Sequence, residues 1–471
     1  MGNPLSRFFI KRLVTKKRLE KILEKYANPK IKLGFVCSLY YPLVKAIINS
    51  GARAFGVPEE KMKNFFQERI HRRGLCSVLK GIAHYGITKP QNLLVPFLVV
   101  WDITYACNLK CKHCYSNAGK KLKNELSDEE VKRIIDELDE IGVVAIAFSG
   151  GEPLVRKNFF EIARYASSKG FYVAVATNGT MITEEVARKM KESGIRYVEV
   201  SLDGASPETH DSFRGIEGAF EKAVEGIKNA KEQGMMTAIA TTITTHNYYE
   251  VEDLIELALK LRVDRFIHFN FIPTGRGEKI VNEDLTPEER ERLLRFLYKK
   301  SKELKGRLQV FSTAPQYARI ALQEALKRGE GEISFTFYGG NVKNRMIGIA
   351  EFISGCGAGR MYCGITPDGK VKPCVFMPII VGDLREKSFS EIWNNSEILK
   401  SLRDRSDLKG HCGTCRYKYV CGGCRSRAYA YSGDIKGYDP GCIYNEKIFE
   451  GGRSIRNSLK IRDRYVQYVL E

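Results

Sequence analysis

The chain has 471 residues, 13 of them cysteine, with 76 Lys plus Arg against 56 Asp plus Glu and a formal net charge of +20. That length suits about three domains. The pattern has no secretory leader, and no apolar run near the roughly 18 residues that span a bilayer. So many cysteines without a leader point to a reducing cytoplasm, not a disulfide scaffold.

Residues 1–96 hold 19 Lys plus Arg and 5 acids, so +14 of the +20 lies there. Leu5, Phe8, Phe9, Leu13, Leu19, Ile22, Leu23 and Tyr26 recur every three to four residues between lysines and arginines. An apolar stripe beside a basic face predicts a helix lying in an anionic headgroup layer; packing on the chain's own core is the alternative. The next stretch, Leu33 to Ile48, is interrupted by Pro42 and Lys45 and is too broken to span. No nucleic-acid signature accompanies the charge, so no nucleic-acid partner is expected.

Strand 98–105 runs into Cys-Asn-Leu-Lys-Cys-Lys-His-Cys, which places Cys107, Cys111 and Cys114 on one short loop. Three thiolates there can hold three irons of a 4Fe–4S cluster, leaving the fourth iron open to a chelating small molecule. A zinc site completed by His113 is the competing reading. Strand 143–149 ends in Ser149-Gly150-Gly151-Glu152-Pro153, where glycines allow close backbone approach and Glu152 offers a carboxylate to an ammonium group. Strands at 172–177, 197–201, 236–242 and 265–271 alternate with helices near 127–141, 158–169, 183–193, 218–233 and 250–261. Ser127 and Glu130 form a capping box, and Gly142 is a stop. Consecutive crossovers imply parallel strands with helices outside, and chemistry at the strand C-termini. Thr177-Asn178-Gly179, Ser201-Leu202-Asp203-Gly204 and Arg214 fall at those ends.

Helix-rich residues 286–349 bridge to a second cysteine series: Cys356, Cys363, Cys374, Cys412, Cys415, Cys421, Cys424 and Cys442. Eight thiolates satisfy two 4Fe–4S clusters; paired zinc ribbons in a binding module are the alternative. Only Cys37 and Cys76 remain unassigned. A last helix is expected over 451–471.

Together these motifs resemble the radical SAM superfamily with a SPASM auxiliary-cluster domain. The resemblance implies an α/β fold: a partial (β/α)6 parallel barrel over 97–285, a cysteine-rich two-cluster domain over 350–450, and the basic helical extension over 1–96. It implies an enzyme with three 4Fe–4S clusters and S-adenosylmethionine (SAM), fed by a reduced ferredoxin- or flavodoxin-type donor. Cys107, Cys111 and Cys114 hold the reactive cluster. Glu152 in the Gly150–Gly151 turn meets the methionyl amino group, Tyr115 lies by the adenine, Ser201 and Arg214 meet the carboxylate, and Asn178 and Asp203 lie near the ribose. Cys356, Cys363, Cys374 and Cys424 form one auxiliary ligand set; Cys412, Cys415, Cys421 and Cys442 form the other. Val375 stands where sulfatase-maturing relatives carry a basic Asp, which disfavours formylglycine formation.

The barrel and auxiliary motifs are most similar to the haem-biosynthesis branch, which acts on tetrapyrrole propionates. The N-terminal extension lies outside that resemblance. Held at a membrane from the cytoplasmic side, it points first to a lipid chain, coupled or oxidised at an inert carbon. Tetrapyrrole comes second and peptide third.

Overall fold

A computed structural model describes residues 4–54, 57–327, 332–335, 338–341 and 346–445. The expected helix over 451–471 lies outside the described residues. The first five helices, α1 (Pro4–Val14), α2 (Arg18–Ala27), α3 (Phe35–Ala54), α4 (Glu59–Gln67) and α5 (Arg69–Tyr85), form a cap with its own core. That core corrects the headgroup reading of α1 and α2. Leu13, Leu19, Ile22, Leu23 and Tyr26 are buried against Val44, Phe66 and Ile82, and Phe9 packs edge-on against Tyr40. Of the stripe, Phe8 alone among the described side chains stays exposed. Burying it on the chain itself removes the same apolar area from water that a bilayer would.

The basic face of the cap then finds partners on the barrel base. Arg73 pairs with Asp139 and donates to Lys169 O at 3.2 Å, and Lys17 lies 3.2 Å from Asp139; in the opposite sense the cap's Glu68 lies 2.8 Å from Arg196 of the barrel. Among the described residues no helix is long and apolar enough to cross a membrane.

The barrel follows as β1 (Leu98–Thr104), α6 (Asp128–Ile141), β2 (Ala145–Gly150), α7 (Phe159–Ser168), β3 (Tyr172–Thr177), α8 (Glu184–Glu192), β4 (Ile195–Ser201), α9 (Pro207–Arg214), α10 (Ala219–Glu232), β5 (Met236–Ile243), α11 (Val251–Lys260) and β6 (Arg265–Asn270). The Ser127–Glu130 capping box forms, and Gly142 closes α6 in the left-handed region at φ 93°. Helix α9 carries Arg214 and was not anticipated, because its eight residues are too few for a clear period.

The bridge contains α12 (Pro287–Glu303), β7 (Gln309–Ser312), α13 (Gln316–Lys327) and the hairpin β8 (Glu332–Phe335) with β9 (Tyr338–Asn341). After α14 (Met346–Ile353) come β10 (Tyr362–Ile365), β11 (Lys370–Lys372) and β12 (Gly382–Asp383), then α15 (Phe389–Asn395), α16 (Glu397–Arg403), α17 (Gly410–Thr414) and α18 (Arg425–Ser432). The main sheet runs β12-β11-β10-β1-β2-β3-β4-β5-β6-β7, parallel from β10 to β7. Two parallel strands therefore extend the expected six, one from the bridge and one from the auxiliary region. The latter is not a detached domain. In α18, Arg427 pairs with Asp284 and donates to Asn270 Oδ1 at 2.8 Å, at the C-terminal end of β6.

Strand alternation sorts the side chains. Val99, Trp101, Ile146, Phe148, Val173 and Val175 face the helices and are fully buried. On the opposite face Ala145, Ala147, Ala174, Ala176 and Ala240 line the lumen among larger side chains such as Tyr172, Tyr197 and Ile267. Barrels are usually filled by bulky branched residues, so alanines at these five positions leave room in the lumen.

Candidate active site

The three N-proximal thiols sit on the loop after β1, at the C-terminal face of the sheet. Leu109 N and Ala118 N donate to Cys107 Sγ and Cys114 Sγ at 3.4 Å each, and Arg214 Nη1 lies 3.6 Å from Cys111 Sγ. Such donors stabilise thiolate charge. The loop is pinned from both sides: Lys110 N and Lys112 N reach Arg214 O and Phe213 O, and Arg276 Nε reaches Cys111 O at 2.8 Å. Arg276 was missed in the sequence, although Pro273-Thr274-Gly275-Arg276 begins only three residues after β6 ends. At Gly275, φ 60°, a Cβ would stand 2.6 Å from the carbonyl oxygens of Cys114 and Tyr115, so only glycine lets that clamp close.

The expected SAM contacts divide into two groups. Tyr115, Gly150, Gly151, Asn178, Ser201 and Arg214 line one cavity of about 2240 Å³ together with Cys107, Cys111 and Cys114. Tyr115 donates to Asp102 Oδ1 at 3.2 Å and stands edge-on to Phe376 at 4.9 Å, so the auxiliary region touches the expected adenine side. Burial raises the Asp102 carboxyl to about 6. Asn178 donates to Asn108 Oδ1 at 2.8 Å.

Glu152 and Asp203 lie behind that wall. The Glu152 carboxylate is fully buried and accepts from Leu154 N, Thr177 Oγ1 and Asn178 N at 3.1, 2.8 and 2.8 Å; burial raises its pKa. Asp203 pairs with Arg214 Nη2 at 2.5 Å and accepts from Thr242 N at 2.8 Å. Burial opposes charge on Arg214, yet Asp203 and Cys111 together raise its pKa. The turn's glycines also answer first to the chain itself: a Cβ at Gly151 would lie 2.2 Å from Ala106 O. His113, the proposed fourth zinc ligand, stacks on Phe213 at 4.2 Å with Nε2 3.4 Å from Asp203 Oδ2, and burial holds it well below the usual histidine pKa.

None of the thirteen cysteines is in a disulfide. In the auxiliary region Cys356, Cys374 and Cys424 open onto the same cavity. They are near enough to influence one another electrostatically, and Tyr362 Oη lies 2.9 Å from Cys374 Sγ. Cys412, Cys421 and Cys442 form a second neighbourhood, with Asn445 Nδ2 at 3.7 Å from Cys412 Sγ. Cys415, half-buried, receives Tyr417 N at 3.4 Å. Cys363 departs from its expected set. It is paired in register with Val99 and fully buried in the helix-facing core, and Arg403 is the one charged group acting on it.

Clustered free thiols with N–H donors aimed at sulfur suit iron–sulfur clusters. Residues 101–261 match the radical SAM superfamily model, and residues 356–416 match SPASM, an iron–sulfur cluster-binding domain. The AdoMet-dependent heme synthase of Methanosarcina barkeri is 41% identical over 350 residues, which are 74% of this chain and 97% of that protein. The Fe-coproporphyrin III synthase of the same organism is 37% identical over 368 residues, covering 74% and 88%. Streptococcus suis SuiB bound to S-adenosylmethionine shares the fold at a TM-score of 0.63 and 16% identity, over 86% of this chain and 88% of that one. The chain belongs to the radical SAM superfamily, as an enzyme with a 4Fe–4S cluster, SAM and further clusters in a SPASM domain.

Proposed function

We propose that this enzyme modifies the propionate side chains of a tetrapyrrole. The carrying observation is the likeness to the two tetrapyrrole synthases, which spans nearly their whole length. The cavity supports it: Phe269, Phe271, Phe376 and Tyr362 offer apolar faces to a flat ring, and Arg276 offers a cation to a carboxylate. The reason for ranking lipid first is gone, because the α1–α2 stripe is spent inside the cap, and carbon–carbon coupling has no support among these relatives.

A 4Fe–4S cluster held by Cys107, Cys111 and Cys114 would, with SAM and one electron, supply radical chemistry able to remove hydrogen from an unactivated C–H bond. The chain's part is positional. Arg276 and the Arg214 backbone fix the cysteine loop, Arg214 holds a cation on the cavity wall, and the aromatic walls exclude water. A ferredoxin- or flavodoxin-type protein is the proposed reductant. Anaerobic reconstituted enzyme, given in parallel Fe-coproporphyrin III, a polar lipid extract and a peptide mixture, tests the reading. The expected result is 5′-deoxyadenosine above the uncoupled rate, with a mass change, for the tetrapyrrole alone. Stimulation by lipid or peptide instead sinks it.

Any membrane contact is better carried by α3. Phe35 and Leu39 are 88% and 72% exposed, and Val36, Leu43 and Ile47 continue that row beside Lys45. An exposed apolar row on a segment carrying +14 complements an anionic bilayer. Leu39→Glu with Leu43→Glu should halve, or more than halve, co-sedimentation with phosphatidylglycerol vesicles at low salt. Equal sedimentation of variant and parent removes the contact from α3.

A further inference from the structure

Among the described residues four arginines are exposed by 2% or less, and three of them face carboxylates: Arg290 and Arg427 meet Asp284, and Arg319 meets Glu291. Arg360, the fourth, meets none. Its Nη1 and Nη2 donate to the carbonyl oxygens of Gln91 and Ser354, each at 3.1 Å, and its Nε has no partner. Arg405, also buried, is held in the same way. Its guanidinium donates to the carbonyls of Tyr419 at 2.8 Å, Cys356 at 3.0 Å, Lys418 at 3.3 Å and Ser354 at 3.4 Å. The two cations thus share one acceptor, Ser354 O, and repel each other.

Carbonyl dipoles offset only part of the cost of burying a cation, and buried charges are ordinarily paired. Two adjacent guanidinium groups without a carboxylate therefore mark a place built for an anion. The groups able to bear negative charge that act on them are cysteines: Cys356 on Arg360, and both Cys356 and Cys421 on Arg405. Packing fixes Arg405 between those two. A Cβ on Gly355 would stand 2.6 Å from its Nη1, and one on Gly422 would stand 2.8 Å from its Cζ. The guanidinium is wedged between the turn that carries Cys356 and the turn that carries Cys421, where Cys356 N also donates to Cys421 O at 3.2 Å. Cys356 and Cys421 belong to different neighbourhoods of the auxiliary region.

We propose that Arg405, backed by Arg360, is the shared counter-ion of the two auxiliary clusters, set between their ligands. An iron–sulfur cluster with its thiolates is a net anion, and its potential follows the charge around it. A cation between two such anions lowers their mutual repulsion and favours the reduced state of both. Arg360, which answers to Cys356 and not to Cys421, favours the reduced state of one.

The test reads midpoint potentials rather than turnover. The full-length chain with Cys107→Ala, Cys111→Ala and Cys114→Ala, reconstituted anaerobically, shows the auxiliary signals alone. Titration with dithionite and redox dyes, followed by electron paramagnetic resonance, gives each midpoint. Arg405→Met should lower both, each by about tenfold in the reduction equilibrium, near 59 mV for one electron. Arg360→Met should lower one and leave the other. Arg405→Lys keeps the charge but not the full set of carbonyl ties, so both midpoints should return towards the parent's. Full iron with unmoved midpoints in the two methionine variants overturns the counter-ion, and movement of one midpoint alone in Arg405→Met overturns the sharing. Should Arg405→Met fail to hold its clusters, Arg405→Lys decides. Retention of about 8 irons by the lysine variant supports the charge; equal loss shows that Arg405 only ties loops together and overturns it. No arm contains a tetrapyrrole, so the result stands apart from the substrate reading.

Discussion

The two cysteine regions gather thiols by different means. Cys107, Cys111 and Cys114 ride one loop, whose backbone is clamped by Arg276 and by the carbonyls of Phe213 and Arg214. The auxiliary thiols come from loops, short helical turns and the start of α18, and are brought together by buried arginines such as Arg405 and by Asp439. On one loop, sequence spacing nearly is geometry. Across a strand such as β10, spacing also carries a phase, and Cys363, at a plausible interval, packs in the helix-facing core. The regions differ in electrostatics too. A guanidinium addresses Cys111, whereas a phenol addresses Cys374.

Deleting the loop's ligands draws the sharpest line between them. Cys107→Ala, Cys111→Ala and Cys114→Ala together should abolish reductive SAM cleavage while about 8 irons stay on the auxiliary region. Iron analysis and 5′-deoxyadenosine assay read both. Loss of all iron would mean that the regions assemble as one unit.

Arg214 sets the next scale. Arg214→Ala leaves Asp203 charged and buried without its partner, a loss that typically costs about 3–5 kcal/mol. Denaturant unfolding should show that drop, and Cys111 loses its cationic neighbour. An equal loss in Tyr362→Phe would break the distinction between charged and neutral support.

The sequence made much of this legible, for identifiable reasons. The six central strands were readable because their outward rows are Ile, Val and Phe, and the capping box at Ser127–Glu130 marked α6. The cluster loop was readable because three cysteines in eight residues leave few geometries. The cap's role was not. A stripe every three to four residues says that a helix hides one face, but not whether lipid or α3, α4 and α5 cover it. The place of Cys363 in the core was not readable, because register with β1 is a property of two distant segments. Glu152 and Asp203 are expected at the ligand because their motifs adjoin it; within the chain their carboxylates bind strand ends and Arg214, contacts that no motif announces.

Glu152 sharpens the comparison at the turn beside the loop. Its Oε1 accepts from Thr177, so Glu152→Gln should weaken SAM binding about 10-fold, near 1.5 kcal/mol, by shifting the Gly150–Gly151 turn. If that hydrogen bond carries the effect, Thr177→Val should weaken binding similarly, and the double variant should be little worse than either alone. Additive losses in equilibrium titration would instead give Glu152 a contact of its own with SAM.

The smallest effect belongs to Tyr362. Its hydroxyl lies 2.9 Å from Cys374 Sγ, and burial raises its pKa well above the usual tyrosine value, so it stays a neutral donor. A hydrogen bond to a cluster thiolate stabilises the more negative, reduced cluster and so raises its potential. Tyr362→Phe removes the donor and leaves the ring. A net bond of about 1 kcal/mol corresponds to a shift on the order of 40 mV for one electron. The auxiliary signal should therefore titrate that much lower in a redox titration, while the loop cluster, whose thiolate faces Arg214, stays in place. A shift in the loop cluster alone would mean that the hydroxyl is coupled through Phe376 and Tyr115 rather than through Cys374, and would reverse the assignment of which side chain tunes which cluster.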